Sequence, residues 1–128
     1  MEDIVAKADK YWVDTKNRDR EGKIRLNTSQ IRKFLTAVNS VANKVTIYKS
    51  ENPGIAELSE DLVAEVKYLQ VPLAYQAGRN PLIKYFVRDT QIDKMIKDIG
   101  NSVKGFEQFA RYIEALVAYH KFYGGKDK

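Results

Sequence analysis

The sequence predicts an all-α protein, a compact bundle of five to six helices. Apolar residues recur at three- and four-residue steps along most of the chain, which is the period of an amphipathic helix. Only seven glycines and three prolines occur among 128 residues, which is few for an all-β fold with many turns. A chain of this length forms one domain and buries about two-thirds of its unfolded surface, so a real core is expected.

Residues 1–26 are predicted to form a charged N-terminal segment that precedes the bundle. Within it, one set of apolar residues has the spacing of a short amphipathic helix: Ile4, Val5, Ala8, Tyr11 and Trp12. The stretch DTKNRDREGK, residues 14–23, is typical of a mobile loop. The helical bundle domain is predicted to span residues 27–125, followed by a short tail at residues 126–128.

The first long helix is predicted to begin in the stretch LNTSQIRKFL and to end near Tyr48. Thr28 or Ser29 is a candidate cap, since a side-chain oxygen there accepts a hydrogen bond from a first-turn N–H. One stripe of the helix is apolar and should face the core: Ile31, Phe34, Leu35, Val38, Val41, Ala42 and Val45.

A second long helix is predicted from Ser59, its cap, to a stop at Gly78. Glu60 and Asp61 suit its positive N-terminal end, and Pro72 should bend it, because proline removes one backbone hydrogen bond. The helix carries two apolar stripes, which predicts a central position with several neighbours. The first stripe is Leu62, Val63, Val66, Leu69, Leu73 and Ala77, and the second is Ala64, Tyr68, Val71 and Tyr75.

Three further helices are predicted in the C-terminal part of the chain. The first starts at Asn80–Pro81, since proline suits the first helical position. Thr90 is the predicted cap of the next one, which ends at Gly100. The last helix runs from Ser102 to a left-handed stop at Gly124–Gly125. Its predicted buried face comprises Phe106, Phe109, Ile113, Leu116, Val117, His120 and Tyr123.

The composition excludes several kinds of chemistry. The chain has no cysteine, which rules out disulfides and thiolate chemistry and fits a reducing cytoplasm. There is no apolar run long enough to cross a membrane, and we expect no signal peptide and a cytoplasmic location. Neither phosphate-binding glycine motif nor a G-x-S-x-G elbow is present. The sequence therefore predicts no enzyme activity, no cofactor and no metal site.

The single histidine, His120, lies in the stretch EALVAYHKFYGG near the centre of the apolar stripe of the last helix. A histidine at such a position is more often a packed core residue than a ligand, so the structural interpretation is favoured. The alternatives are a ligand, or a half-buried residue whose cation the helix dipole favours.

Charge is segregated along the chain, although the net charge is only +5. Residues 22–50 hold six basic residues and no acid, residues 51–65 five acids and no base, and residues 66–88 four bases and no acid. Two acid-free basic blocks in one small domain favour a polyanionic partner.

Basic groups also alternate with aromatic ones on the last helix. Lys104 and Arg111 should lie on its solvent side, with Tyr112 and Tyr119 on its flank. Such interleaving suits phosphate contacts and base stacking. Packing of the tyrosines against another helix or subunit is the slightly favoured alternative.

Three stretches in order resemble the Csm small subunit of type III-A CRISPR effector complexes. They are NTSQIRKFL, VAEVKYLQVPLAYQAGR and FARYIEALVAYHKFYGG, and together they cover about residues 28–125. The resemblance implies a helical protein without catalysis, from a bacterium or archaeon. Several copies would pack head to tail beside a backbone subunit that cleaves RNA and a large subunit that acts on DNA and makes cyclic oligoadenylate.

The resemblance also implies that basic residues hold the sugar–phosphate backbone of a crRNA–target RNA duplex. Arg32 in SQIRKF and Arg79 in YQAGR match best, followed by Arg111 and Lys121. The full predicted RNA-binding set is Arg32, Lys33, Lys44, Lys67, Arg79, Lys104, Arg111 and Lys121. One departure is YLQVPLAY, where Gln70 and Pro72 stand at positions that are often basic in the family.

Two other functions fit the sequence. One is the analogous small subunit of the type III-B complex, although the motif stretches favour type III-A. The other is a helical protein–protein adaptor without RNA contact, which should give no gel shift with RNA at low salt.

Overall fold

The computed structural model describes residues 3–13 and 28–124, and these residues form a helical bundle. Seven helices occur in this part of the chain: α1 (Ile4–Val13), α2 (Thr28–Glu51), α3 (Glu60–Tyr68), α4 (Gln70–Arg79), α5 (Pro81–Thr90), α6 (Ile92–Ile99) and α7 (Val103–Phe122). The predicted all-α class is confirmed. The structure has seven helices in these residues rather than the predicted five to six, because one predicted helix is divided into α3 and α4. None of the helices within the described residues is long and apolar enough to span a membrane.

Helix α7 forms the centre of the bundle and packs against α1, α2 and α6. It begins as predicted, with the Ser102 hydroxyl accepting the Gly105 N–H at 2.9 Å. It ends before Gly124, whose φ of +87° is the predicted left-handed stop. Its buried residues are Val103, Phe106, Phe109, Tyr112, Ile113, Leu116 and His120.

The predicted N-terminal helix exists as α1 and joins the core of the bundle. Ala8 and Trp12 are buried, and the Trp12 indole N–H donates to the Leu116 carbonyl at 2.7 Å. The Trp12 ring also stacks on Phe86, with centroids 5.9 Å apart. The loop predicted at residues 14–23 and the tail at 126–128 lie outside the described residues, and the domain boundary between 26 and 27 stays a prediction.

Helix α2 is longer than the sequence predicts. It begins at Thr28, so Thr28 and Ser29 lie within the helix rather than before it. It continues beyond Tyr48 to Glu51, where the Asn52 amide donates to the Tyr48 carbonyl at 3.0 Å. The predicted stripe faces the core: Ile31, Phe34, Val38, Val41 and Val45 are buried, and Leu35 and Ala42 are partly buried.

The predicted helix at residues 59–78 is broken at Leu69, three residues before Pro72. A helical Pro72 could not donate to the Tyr68 carbonyl, and its ring would crowd that group. The chain tightens instead, and the Leu69 N–H bonds to the Val66 carbonyl at 3.1 Å. Pro72 then lies in the first turn of α4, where backbone N–H groups have no intrahelical partner. Gly78 is not the stop, since α4 continues to Arg79.

The prediction of a second buried stripe on this helix is wrong. Tyr68, Val71 and Tyr75 are exposed by 67%, 50% and 62%, and Ala64 is also exposed. Only one face of α3 and α4 packs on the bundle, through Leu62, Val66, Leu69 and Leu73. Apolar periodicity identifies an apolar face of a helix but not what covers it. Here no other part of the described chain covers the second stripe.

The junction of α5 and α6 also differs from its prediction. Thr90 does not cap α6; it is the last residue of α5, buried, and its hydroxyl donates to the Phe86 carbonyl at 2.6 Å. Gln91 makes the turn instead, with a left-handed φ of +57°. The buried position of Thr90 explains the difference, because the hydroxyl has a carbonyl of its own helix within reach.

Candidate RNA-binding surface

The direction of the long helices decides which basic residues come together. Lys44 of α2 pairs with Glu65 of α3, while Ala37 of α2 and Pro72 of α4 line one groove. Helices α3 and α4 therefore run antiparallel to α2, and α4 carries Arg79 towards the N-terminal end of α2.

Helix α7 also runs antiparallel to α2. Lys49 and Glu107 pair at one end, with 2.8 Å between Nζ and Oε2. Towards the other end, Ile31 of α2 and Val117 of α7 line the same small internal gap. The last turn of α7, with Lys121, thus lies at the N-terminal end of α2.

Four of the predicted RNA-binding residues consequently share one end of the bundle. We call this set the basic end: Arg32, Lys33, Arg79 and Lys121. All four are exposed. They come from three helices that are far apart in sequence, and four cations at the same end of the bundle favour an anionic partner there.

Arg79 is held beside an aromatic ring. Its guanidinium carbon lies 5.5 Å from the centroid of the Tyr75 ring, one helical turn away. This distance is in the range of a cation–π contact, which orients the guanidinium without neutralising it. Sequence reasoning missed this pair, although the spacing of a tyrosine four residues before an arginine was a usable signal.

Lys44 and Lys67 lie away from the basic end, on α2 and α3. Lys44 is paired with Glu65, and both side chains remain partly exposed. A pair of this kind contributes little to stability but reduces the free positive charge at that point. Lys67 is exposed in the last turn of α3.

Lys104 and Arg111 lie in a separate place, a groove of about 720 Å³ between α1 and α7. Asp3 and Glu107 line the same groove, so its charge is mixed. This groove brings two of the predicted residues together, but not with the basic end.

The predicted aromatic flank of α7 is not a stacking surface. Tyr112 is 1% exposed, and the Lys7 ammonium lies 4.8 Å from its ring centroid. Tyr119 is partly buried and packs with Phe122 and Tyr123. The alternative of helix packing is therefore the correct one for both tyrosines.

The opposite end of the bundle carries most of the acidic block, although Lys49 and Lys104 line a pocket beside the same loop. Exposed carboxylates lie near the end of α2, in the following loop and in the first turn of α3: Glu51, Glu57, Glu60 and Asp61. The loop is fixed by two backbone hydrogen bonds, from Leu58 to Asn101 at 2.7 Å and from Val103 to Ala56 at 3.1 Å. The acidic block thus forms a defined surface, which we call the acidic end.

His120 is a core residue, as the favoured interpretation held. It is 0% exposed, and its ring meets Trp12 edge to face at 4.9 Å. Across residues 3–13 and 28–124, no three side chains of the histidine, aspartate and glutamate types are grouped as metal ligands.

The fold and this division of charge define a small all-α protein with a basic end and an acidic end. The model of the family described as Csm2 Type III-A matches residues 1–126. The chain therefore belongs to the Csm2 family, the small subunits of type III-A CRISPR effector complexes, as the resemblance of the three stretches predicted.

Relatives from three organisms are similar to it over most of their length. The "CRISPR system Cms protein Csm2" of Streptococcus thermophilus is 37% identical over 126 residues, covering 98% of this chain and 95% of the relative. The protein of the same name from Enterococcus italicus is 41% identical over 100 residues, covering 77% and 68%. That from Mycobacterium tuberculosis is 37% identical over 103 residues, covering 80% and 79%.

Proposed function

We propose that this chain is a non-catalytic subunit that binds the backbone of the crRNA–target RNA duplex through its basic end. Membership of the family places it in a Csm effector complex with other Csm subunits. The observation that supports RNA binding is the meeting of Arg32, Lys33, Arg79 and Lys121 at one exposed end of the bundle. Lys44, Lys67, Lys104 and Arg111 would contribute more weakly, since all four lie away from the basic end and Lys104 and Arg111 share their groove with acids.

Binding of this kind is independent of nucleotide sequence. Arginine and lysine side chains on a helical surface meet phosphates, which are the same at every nucleotide. Specificity then belongs to the pairing of guide and target, as in other RNA-guided complexes. A subunit present in several copies requires this property, because each copy meets a different part of the target.

The acidic end has a separate role, in contact between copies. Carboxylates would repel the RNA backbone, so this end faces away from the duplex and towards a basic surface of the next copy. A contact between unlike surfaces of identical chains repeats without closing and builds a row. Weak RNA binding by each copy is then multiplied along the row by linkage.

The decisive experiment compares the salt dependence of RNA binding by two double variants. Arg32→Ala with Lys33→Ala should weaken binding equally for all RNA sequences. It should also make log K fall less steeply with log salt, reducing the magnitude of the slope by roughly 0.7 to 0.9 for each phosphate that the variant no longer neutralises. Lys94→Ala with Lys97→Ala removes the same charge from exposed positions on α6 and is the matched control.

The outcomes separate the proposal from its alternative. A shallower salt dependence of RNA binding in the first variant alone supports backbone contact at the basic end. Equal slopes in both variants and the wild type mean that these side chains are only solvated. If the wild-type protein gives no gel shift at low salt and does not crosslink to RNA within the assembled complex, the chain is a protein–protein adaptor.

A further inference from the structure

An exposed apolar stripe runs along α3 and α4 on the side opposite the core. Its central members are Ala64, Tyr68, Val71 and Tyr75, three of them large side chains at least half exposed. Beside it lies a shallow apolar groove of about 390 Å³, between α2 and α3–α4. Isolated exposed apolar residues are ordinary, but a contiguous stripe beside a groove marks an interaction surface.

The stripe has the spacing of a coiled-coil seam. Asp61 precedes it and Gly78 follows it, and the six positions 61, 64, 68, 71, 75 and 78 alternate steps of three and four residues. This is the a/d pattern that packs one helix against another through knobs and holes. All six positions are exposed, so the break at Leu69 does not turn the seam away from solvent.

Gly78 indicates a close neighbour that this chain does not supply. It lies inside α4, where glycine costs about 1 kcal/mol relative to alanine. Its φ is not in the left-handed region, and a Cβ added there would meet nothing within 4 Å. Neither backbone conformation nor packing among the described residues requires glycine at this place.

The seam is complementary to itself in the antiparallel direction. If two copies pair so that residue 68 of one faces residue 71 of the other, three layers form on each side of a two-fold axis. Tyr68 faces Val71, Ala64 faces Tyr75, and Asp61 faces Gly78. Every layer sets a larger side chain against a smaller one, as close packing requires.

The groove and the charges fit the same register. Ala64 and Tyr68 line the groove, so a Tyr75 ring of a second copy opposite Ala64 would enter it. The next pair beyond the layers sets Arg79 of one copy against Glu60 of the other, beside Asp61. Because the contact is isologous, this favourable pair occurs twice.

RNA is the less favoured occupant of the stripe. Asp61 lies on it, Glu60 adjoins it, and Glu65 lines the groove beside it, and these carboxylates repel phosphate. The guanidinium of Arg79 already lies near the Tyr75 ring, the most accessible stacking platform at the basic end of the stripe.

We infer that two free copies of this chain pair through α3 and α4 as an antiparallel, two-fold dimer with the stripe as its seam. The pairing goes beyond the proposed function and does not depend on RNA binding. The interface is confined to two short helices, α3 and α4, and we expect a dimer that forms in the micromolar range. One consequence does rest on the proposed row of copies: the dimer covers Glu60 and Asp61, so paired chains cannot extend into an open row.

The test uses the free chain of 128 residues, whose monomer mass is 14.7 kDa. Sedimentation equilibrium of the wild type should show a reversible rise to twice that mass with concentration. Ala64→Glu places a carboxylate under Tyr75 of the other copy and should lower the association constant by at least about a hundredfold. Ala118→Glu makes the same change at an exposed alanine of α7 and should leave pairing intact.

Circular dichroism of both variants establishes that each is folded before association is compared. A wild type that stays monomeric throughout the micromolar range overturns the inference. So does equal association of the two variants. If the wild type is monomeric and Ala64→Glu lowers only RNA affinity or only incorporation into the Csm complex, the stripe belongs to RNA or to another subunit.

Two further variants test the antiparallel register. Arg79→Asp should weaken pairing, and adding Glu60→Arg should restore it, because each interface then holds two reversed pairs. The chain has no cysteine of its own, so Ala64→Cys with Tyr75→Cys should give a disulfide-linked dimer on mild oxidation. Ala118→Cys with Tyr75→Cys should not, and equal cross-linking of the two double variants contradicts the register.

Discussion

Trp12 and His120 meet edge to face in the core, with ring centroids 4.9 Å apart. Both side chains are almost completely buried, although one comes from the first helix and the other from the last. Their contact, together with the bond from the Trp12 indole to the Leu116 carbonyl, fixes α1 to the end of α7. At the residue scale, the only histidine of the chain is part of the packing that joins the first helix to the last.

His120→Ala should therefore destabilise the protein without changing its RNA affinity. Removal of a fully buried ring leaves a cavity, and we expect the free energy of unfolding to fall by about 3 kcal/mol. Urea unfolding followed by the fluorescence of Trp12, the single tryptophan, measures this decrease. The control Gln108→Ala, at an exposed position of α7, should change stability by less than about 0.5 kcal/mol. Reduced RNA affinity at unchanged stability would mean that His120 contacts a ligand.

At the scale of helices, local chemistry predicted some boundaries and missed others, such as those at Gly78 and Thr90. Ser102 and Gly124 act as predicted, because a cap and a left-handed stop depend on neighbouring residues only. The second stripe of α3 and α4 could not be assigned from the sequence. Its period shows that Tyr68 and Tyr75 share a face, but whether that face meets this chain or another is a tertiary property.

Pro72→Ala should join α3 and α4 into one helix. The alanine restores an N–H that can bond to the Tyr68 carbonyl, and it removes the ring that crowds it. Amide hydrogen exchange near Leu69 should slow as that bond forms. Pro81→Ala is the control: Pro81 is at the first position of α5, after the extended Asn80, so no helix is extended there. Unchanged exchange in Pro72→Ala would mean that packing on the bundle, rather than proline, breaks the helix.

At the scale of the whole molecule, the sequence predicted that charge is segregated but not where the segments meet. The basic blocks around Arg32 and Arg79 and the single Lys121 are separated by 40 residues or more along the chain. Only the antiparallel order of α2, α4 and α7 places them at one end. The same order places Lys104 and Arg111, which belong to the predicted RNA-binding set, in the groove beside α1.

Reversal of the acidic end tests whether its carboxylates order the copies in the complex. Changing Glu57, Glu60 and Asp61 to lysine should lower the number of small subunits that co-purify with the other Csm subunits, because like charges then face each other between copies. Native mass spectrometry counts the copies directly. Matched reversals at Asp93, Asp98 and Glu114 should leave the number unchanged.

Glu60 and Asp61 also lie at the dimer seam, so Ala64→Glu is measured alongside. This variant removes pairing of free chains only, and its complexes should keep every copy. An unchanged copy number after reversal of the acidic end would show that the row is held by other contacts.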